Sequence, residues 1–394
     1  MLSGLIIARG LLRSQLGDPT GTINDSPMTD LMLDTRTDIA ELERHQLEDA
    51  LVALKHPRFR ARQLYRWMFR HGVSDFSLMT DLGAGLRADL ARRFTIGTPE
   101  VVRKDVSTDG TTKFLLRLAD GKLIESVFIP DTPSMTFCIS TQAGCAMKCA
   151  FCLTGKMGLD RNLTAGEIAA QVRVLARELG MLGSTVNIVL MGMGEPLHNY
   201  DATMKALRML HDEHGMSISP RRITLSTVGV LPALGRLASE PLMPNLAISL
   251  HATTEDTRDA LVPVNRKYGL QDLLDACRQF PLKRRNRITF EYVLLSGIND
   301  TPGDARRLVR LLNGIRSKVN LLPLNEAPGI PFSRPTDDRV NEFARILAEA
   351  GLTVSVRKSR GRDIRAACGQ LITETASATA RRSTGQRLAS VMGT

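Results

Sequence analysis

The chain has 394 residues, 43% of them hydrophobic, which is ordinary for a globular protein and long enough for two or three domains. No stretch approaches the ~20 apolar residues that a bilayer span requires, so no membrane attachment by a helix is expected. The net charge of +11, from 52 basic and 41 acidic residues, favours a polyanionic partner but does not by itself identify one.

At the start of the chain, Leu5-Ile6-Ile7 and Leu11-Leu12 are broken by Arg9 and Arg13, too short an apolar core for a secretory signal. A transit peptide or a start assigned too early, before Met28 or Met32, are open alternatives; residues 1–34 are read as a disordered extension of a cytoplasmic protein. Residues 35–96 are predicted to form a small helical domain, because Ile39, Leu42, Leu47, Leu51 and Leu54 recur at roughly helical spacing. Within it, residues 58–70 interleave arginines with Phe59, Tyr65, Trp67 and Phe69. A helical core with snorkelling arginines and an RNA-contacting face both fit that pattern. Across residues 97–133 the period shortens, and Asp109-Gly110 and Asp120-Gly121 separate short apolar runs, which predicts an antiparallel β segment.

From residue 134 to 371 strands and helices alternate. Apolar runs at 135–139, 186–191, 223–227, 246–250, 288–295 and 319–324 make six strand–helix units, short of the eight in a full barrel. Thr164 with Glu167 forms a capping box opening one helix that Gly180 ends, and Thr301-Pro302 opens another. A last apolar run, Val354 to Val356, precedes the basic stretch 357–362. Residues 372–394, rich in Ser, Thr, Ala and Arg, read as a disordered basic tail.

The chemistry is concentrated in few motifs. Cys145, Cys149 and Cys152 stand in the run C-A-M-K-C-A-F-C and supply three thiolates, not four. A structural zinc site is closed by four protein ligands, and the fifteen residues after Cys152 contain no His or Cys. Cys138 could close such a site, so a zinc-stabilised RNA-binding protein stands as the non-enzymatic alternative. A four-iron cluster held by cysteine thiolates would instead leave one iron open to a ligand. Gly192-Met193-Gly194-Glu195-Pro196 follows an apolar run; its glycines permit close backbone approach and Glu195 offers a carboxylate to an ammonium group. Ser226, Ser249-Leu250-His251 and Asn325 end later runs, where barrel folds gather functional groups, although each alone reads as well as a helix cap. Cys277 sits at helical spacing among Leu273, Leu274 and Phe280 and reads as core.

With these motifs in this order, residues 35–371 resemble the radical S-adenosylmethionine (SAM) enzymes, and within them the RlmN/Cfr group of RNA adenine methyltransferases. The resemblance implies an α/β fold: an incomplete, open (β/α)6 radical SAM barrel with a small N-terminal helical accessory domain and an antiparallel β segment. It implies a [4Fe-4S] cluster on Cys145, Cys149 and Cys152, and SAM held at Gly194, Glu195, Ser226, Ser249, Leu250, His251 and Asn325. Cys368, in A-A-C-G-Q-L, matches the group's methyl-carrying cysteine, and Cys138 matches its partner thiol.

Ring carbons 2 and 8 of adenine are electron-poor and are not nucleophiles, so simple displacement on SAM cannot methylate them. In the mechanism of the group, a radical formed on methylated Cys368 adds to the base, and attack by Cys138 on the Cys368 sulfur releases the product and leaves a disulfide. Glu125, which interrupts the run Leu123 to Val127, is the candidate base for the ring proton. The resemblance further implies 23S ribosomal RNA and tRNA as substrates, methylated at carbon 2, a reducing donor such as flavodoxin or ferredoxin, and a monomer. Methylation at carbon 8 is the alternative branch. The basic segments 283–287 and 357–365 are expected to meet RNA phosphates.

Overall fold

The computed structural model describes residues 36–130, 135–283 and 285–373. The extension expected at 1–34 and the tail beyond Thr373 lie outside these residues, as does Arg284 of the basic loop.

The chain begins with β1 (Thr37–Asp38), followed by α1 (Arg44–Ala53), α2 (Arg60–Tyr65), a π turn over Arg66–Arg70, α3 (Ala84–Arg93) and β2 (Phe94–Thr95). The apolar positions that suggested helix, Ile39, Leu47 and Leu51, are fully buried, together with Tyr65 and Phe69. Phe59 remains 49% exposed and stacks under Arg60, so core and surface readings both describe parts of this segment. The purely helical reading needs correcting at its ends, where β1 and β2 pair in parallel. Asp38 explains that closure. Its Oδ1 accepts from the backbone N–H of Ala40 and of Gly97, both at 2.8 Å, and joins the two ends of the unit. A Cβ at Gly97 would come within 2.1 Å of the Asp38 carboxylate, so a side chain there would push that carboxylate out of its present position.

Next come β3 (Glu100–Val106), β4 (Thr112–Arg117) and β5 (Leu123–Ile129), an antiparallel meander turning at the two Asp-Gly pairs. Then follow β6 (Thr136–Cys138), β7 (Gln142–Gly144), α4 (Leu153–Met157), β8 (Leu159–Asn162), α5 (Ala165–Glu178), β9 (Asn187–Leu190), α6 (Tyr200–His211) and β10 (Ile223–Thr227). The remainder is α7 (Leu231–Leu237), β11 (Asn245–Ser249), α8 (Glu255–Leu261), α9 (Leu270–Gln279), β12 (Ile288–Leu294), α10 (Pro302–Leu311), β13 (Ser317–Pro323), α11 (Asp337–Glu349) and β14 (Thr353–Val356). Thr164 caps α5 and Thr301 caps α10, each in a capping box, and Pro302 occupies the first turn of α10.

One ten-stranded sheet carries the site, in the order β14-β13-β12-β11-β10-β9-β6-β5-β4-β3. From β6 to β14 every pairing is parallel. The sheet departs from a six-strand count because the short segment β14, half polar in sequence, adds a seventh parallel strand at the edge. The antiparallel segment is continuous with the barrel, through Val127 paired with Cys138. Strands β14 and β3 each have a single neighbour, so the barrel is open. The helical unit is fastened to the barrel by Arg44 to Asp212 and Arg208 to Glu43, at 2.9 and 2.8 Å. Among the described residues no helix is long and apolar enough to cross a membrane.

Candidate active site

The three cysteines occupy the loop between β7 and α4. Its entry is tightly set: Cys145 N–H donates to the Gly158 carbonyl at 2.8 Å, and a Cβ at Gly144 would lie 2.0 Å from that same oxygen. Gly144 has φ +77, so this turn admits only glycine without rearrangement. Further along, Ala150 N–H donates to the Leu261 carbonyl and Leu153 N–H to the Gly369 carbonyl. Cys145 and Cys149 are buried, Cys152 is half-buried, and all three border one cavity. Burial pushes each thiol above its ordinary value, to about 12 for Cys145, so loading iron here must displace protons. Among the described residues no three His, Cys, Asp or Glu side chains are gathered closely enough for one metal ion. Three thiols spread along one loop and facing one cavity suit separate irons of a cluster, with the fourth iron facing the space beyond.

That space is open to solvent on one side and walled mainly by apolar side chains with a few polar groups among them. It lies at the C-terminal ends of the parallel strands. Gly194, Glu195, Ser226, Ser249, His251 and Asn325 all border it, as their positions in the sequence suggested. Leu250 does not: it is fully buried behind the wall. Gly194 has φ +103 and a Cβ there would come within 2.6 Å of Gln142. Glu195 is 3% exposed; its oxygens accept from the N–H groups of Leu197 at 3.0 Å and Val228 at 2.9 Å. Burial pushes its carboxyl up to about 7 against those bonds, so a cation brought beside it would favour ionisation.

His251 has φ 60, and its Nδ1 accepts from Val293 N–H at 3.0 Å, which leaves the ring proton on Nε2 as a donor. Burial, aided by Arg258, depresses this imidazole to about 3, so it stays neutral. The oxygen Oδ1 of Asn325 is buried without a hydrogen-bond partner, an open acceptor in the wall.

Cys368 and Cys138 meet at a second cavity, next to the first. Cys368 borders both cavities, as do Met191, Pro323 and Asn325; Cys138, the last residue of β6, borders only the second. The two thiols sense each other electrostatically, and Arg357 opposes the burial that pushes Cys138 up to about 12. Cys368 is crowded by protein, which raises its thiol too, but the residue is exposed, and that access to water limits the effect. Arg357, Lys358 and Arg360 border this second cavity.

Glu125, like Leu250, is a predicted site residue that the structure sets apart from the cavities. It borders neither cavity, is fully buried, and pairs with Lys113 at 2.9 Å. That contact is an ion pair without hydrogen-bond alignment. Its other oxygen accepts from Ile372 N–H at 2.9 Å. Burial raises its carboxyl despite the lysine. Ile372, placed in the tail by composition, is thus tied to the barrel, and Thr373 beside it is buried. Lys283, Arg285 and Arg287 also differ from expectation. They precede β12, at the N-terminal ends of the strands and opposite the cavity. Charge clustering drew attention to that loop, but the chain direction of the strand it precedes puts it on the far rim.

Sequence reasoning missed Arg258 on α8. Its buried guanidinium donates to the carbonyls of Val228 at 2.7 Å, Leu250 at 3.1 Å and Ser249 at 3.3 Å, and to Asn265 at 2.7 Å. It locks together the two loops that carry the cavity wall. Arg258→Met should leave these acceptors unpaired and cost about 3 kcal/mol or more. Urea unfolding should show a lower midpoint at unchanged slope.

Residues 139–311 match the radical SAM superfamily, and residues 37–96 match the ribosomal RNA large subunit methyltransferase N-terminal domain. A solved radical SAM methyltransferase from Sphaerobacter thermophilus has a TM-score of 0.82 and 48% identity, over 85% of this chain and 99% of that one. The fold is that of a radical SAM enzyme, whose cofactors are a [4Fe-4S] cluster and SAM. Curated relatives named dual-specificity RNA methyltransferase RlmN reach 50% identity in Geobacter sulfurreducens, over 86% of this chain and 93% of that one. The relative from Cereibacter sphaeroides is 47% identical, over 88% of this chain and 92% of its own. The chain belongs to the RlmN family.

Proposed function

We propose that this enzyme methylates carbon 2 of an adenine in 23S ribosomal RNA and in tRNA, with Cys368 as the carrier of the methyl group. The observation that carries this reading is the position of Cys368, which borders both the cavity of the cluster loop and the cavity of Cys138. When bound, the cluster and SAM supply the one-electron chemistry that an electron-poor ring carbon demands.

The chain's own residues do the rest. Cys145, Cys149 and Cys152 hold the cluster, and Glu195, Ser226, Ser249, His251 and Asn325 hold SAM beside it. Cys368 takes the methyl group on its sulfur and later joins that carbon to the base. Once the adduct has shed both the ring proton and its unpaired electron, which the oxidised cluster would take back, Cys138 gives up its own proton and attacks the Cys368 sulfur. The sulfur–carbon bond breaks with its electron pair going to carbon, which takes a proton and becomes the methyl group; a disulfide remains. Arg357 lowers the cost of ionising Cys138 in this step. Glu125 could serve as the base only after the segment carrying Ile372 shifts. In the described state, its pairing with Lys113 anchors that segment.

RNA phosphates meet the second cavity, where the basic side chains stand. Replacing both Lys358 and Arg360 by Ala should weaken RNA binding and flatten its salt dependence by about one unit of slope for each phosphate that is no longer neutralised. Loss of Lys283 and Arg285, on the far rim, should leave that slope unchanged. Fluorescence anisotropy over a salt series reads both. A flavodoxin or ferredoxin is the proposed electron donor, and the enzyme works as a cytoplasmic monomer. The reading is tested by mass spectrometry of RNA nucleosides from cells with and without the gene: 2-methyladenosine should disappear with it. A loss of 8-methyladenosine instead would contradict carbon 2 as the target.

A further inference from the structure

Two carboxylates, Glu195 and Glu291, border the main cavity, and among the described residues no lysine or arginine does. Glu291 lies on β12, in register with Ser249 on β11 and Asn320 on β13, and is 5% exposed. Asn320 donates to its Oε1 at 2.9 Å and is itself held by Ser355 at 2.6 Å. The carboxylate is therefore fixed on one side. Its other oxygen, Oε2, is buried with no hydrogen-bond partner in the protein. A buried acceptor in that state costs free energy unless a ligand brings it a donor.

The surroundings indicate which donor. Ser226 and Ser249 place their hydroxyl oxygens 3.4 Å apart on β10 and β11, and Glu291 continues that polar row onto the next strand. The acidic lining suits SAM, which carries a sulfonium and an ammonium group. RNA phosphate is drawn instead to the neighbouring cavity of Arg357, Lys358 and Arg360. The neutral donors of SAM are its two ribose hydroxyls and its adenine amino group; the adjacent hydroxyl pair matches the row of adjacent acceptors on β11 and β12, and carboxylates are common acceptors for such hydroxyls. We propose that Glu291 is a SAM-binding residue whose free oxygen accepts a hydrogen bond from a ribose hydroxyl of SAM. The proposal rests on the SAM-dependent reading above.

Isothermal titration of the cluster-loaded protein with S-adenosylhomocysteine and with its 2′-deoxy and 3′-deoxy counterparts tests it, in the wild type, E291Q and E291A. In the wild type, removing the engaged hydroxyl should weaken binding about tenfold or more, the effect of losing one hydrogen bond to a charged acceptor. In E291A that deoxy compound and its parent should bind alike, and E291Q should fall between. Comparing ligands within each protein cancels any general weakening caused by the substitution, and E291Q keeps the shape should E291A fold poorly. If both variants lose the same factor as the wild type on removal of the hydroxyl, Glu291 does not receive it and the proposal is overturned. Indifference of the wild type to both hydroxyls overturns it equally. Failure of the wild type to bind S-adenosylhomocysteine at all would instead count against the SAM-dependent reading, and the proposal would fall with it.

Discussion

Cys138→Ala should trap the enzyme on its substrate. With Cys368 intact, the methyl transfer to its sulfur and the bond to the base both proceed, and the thiol that would break that bond is gone. The expected species is a covalent protein–RNA adduct that survives denaturant and is trimmed by nuclease to a nucleotide on Cys368. Turnover should fall to the background level. Cys368→Ala should form no adduct and carry no methyl group. Cys277 is 2% exposed in the core of α9, so Cys277→Ala should form no adduct and cost only some packing. Gel shift under denaturing conditions and peptide mass spectrometry read all three. Normal turnover by Cys138→Ala, or an adduct on Cys277, would show that the roles are assigned wrongly.

Replacing any one of Cys145, Cys149 and Cys152 by Ala should abolish the cluster. The wild type, reconstituted anaerobically, should carry about four irons and four sulfides per chain, the content of one cubane. Each variant should retain far less iron and lose the brown colour. Because Cys145 and Cys149 are buried, while the loop is also fixed by backbone bonds to Gly158, Leu261 and Gly369, the variants should remain folded. Circular dichroism checks that. Zinc at full occupancy with no iron after reconstitution would favour the zinc-stabilised alternative.

What could be read in the sequence was local. The C-x-x-x-C-x-x-C spacing, the capping boxes at Thr164 and Thr301, the Asp-Gly turns and the G-M-G-E-P loop each operate within a few residues, and each has its predicted place in the fold. What escaped was decided by partners far along the chain. Whether Val354 to Val356 forms a strand of the sheet depends on β13 beside it, and whether residues 37–38 extend depends on residues 94–95. Arg258 looks like any helix arginine until the carbonyls of two other loops surround it. Glu125 was legible as a carboxylate in an apolar strand; Lys113, its partner across the β4–β5 hairpin, was not. Glu291 had the same signature, one acid in the run 288–295, and that signal could have found it.

The central claim is that the methyl group reaches RNA by way of Cys368 and a radical on its carbon, and SAM labelled with a trideuteromethyl group tests it most directly. A single turnover on a 23S RNA fragment, followed by nucleoside mass spectrometry, reads the label. Removal of one hydrogen from the methyl on Cys368, and its replacement from solvent at release, predicts 2-methyladenosine carrying two deuterium atoms. A product carrying all three would mean that the methyl group was transferred whole, and would contradict the account.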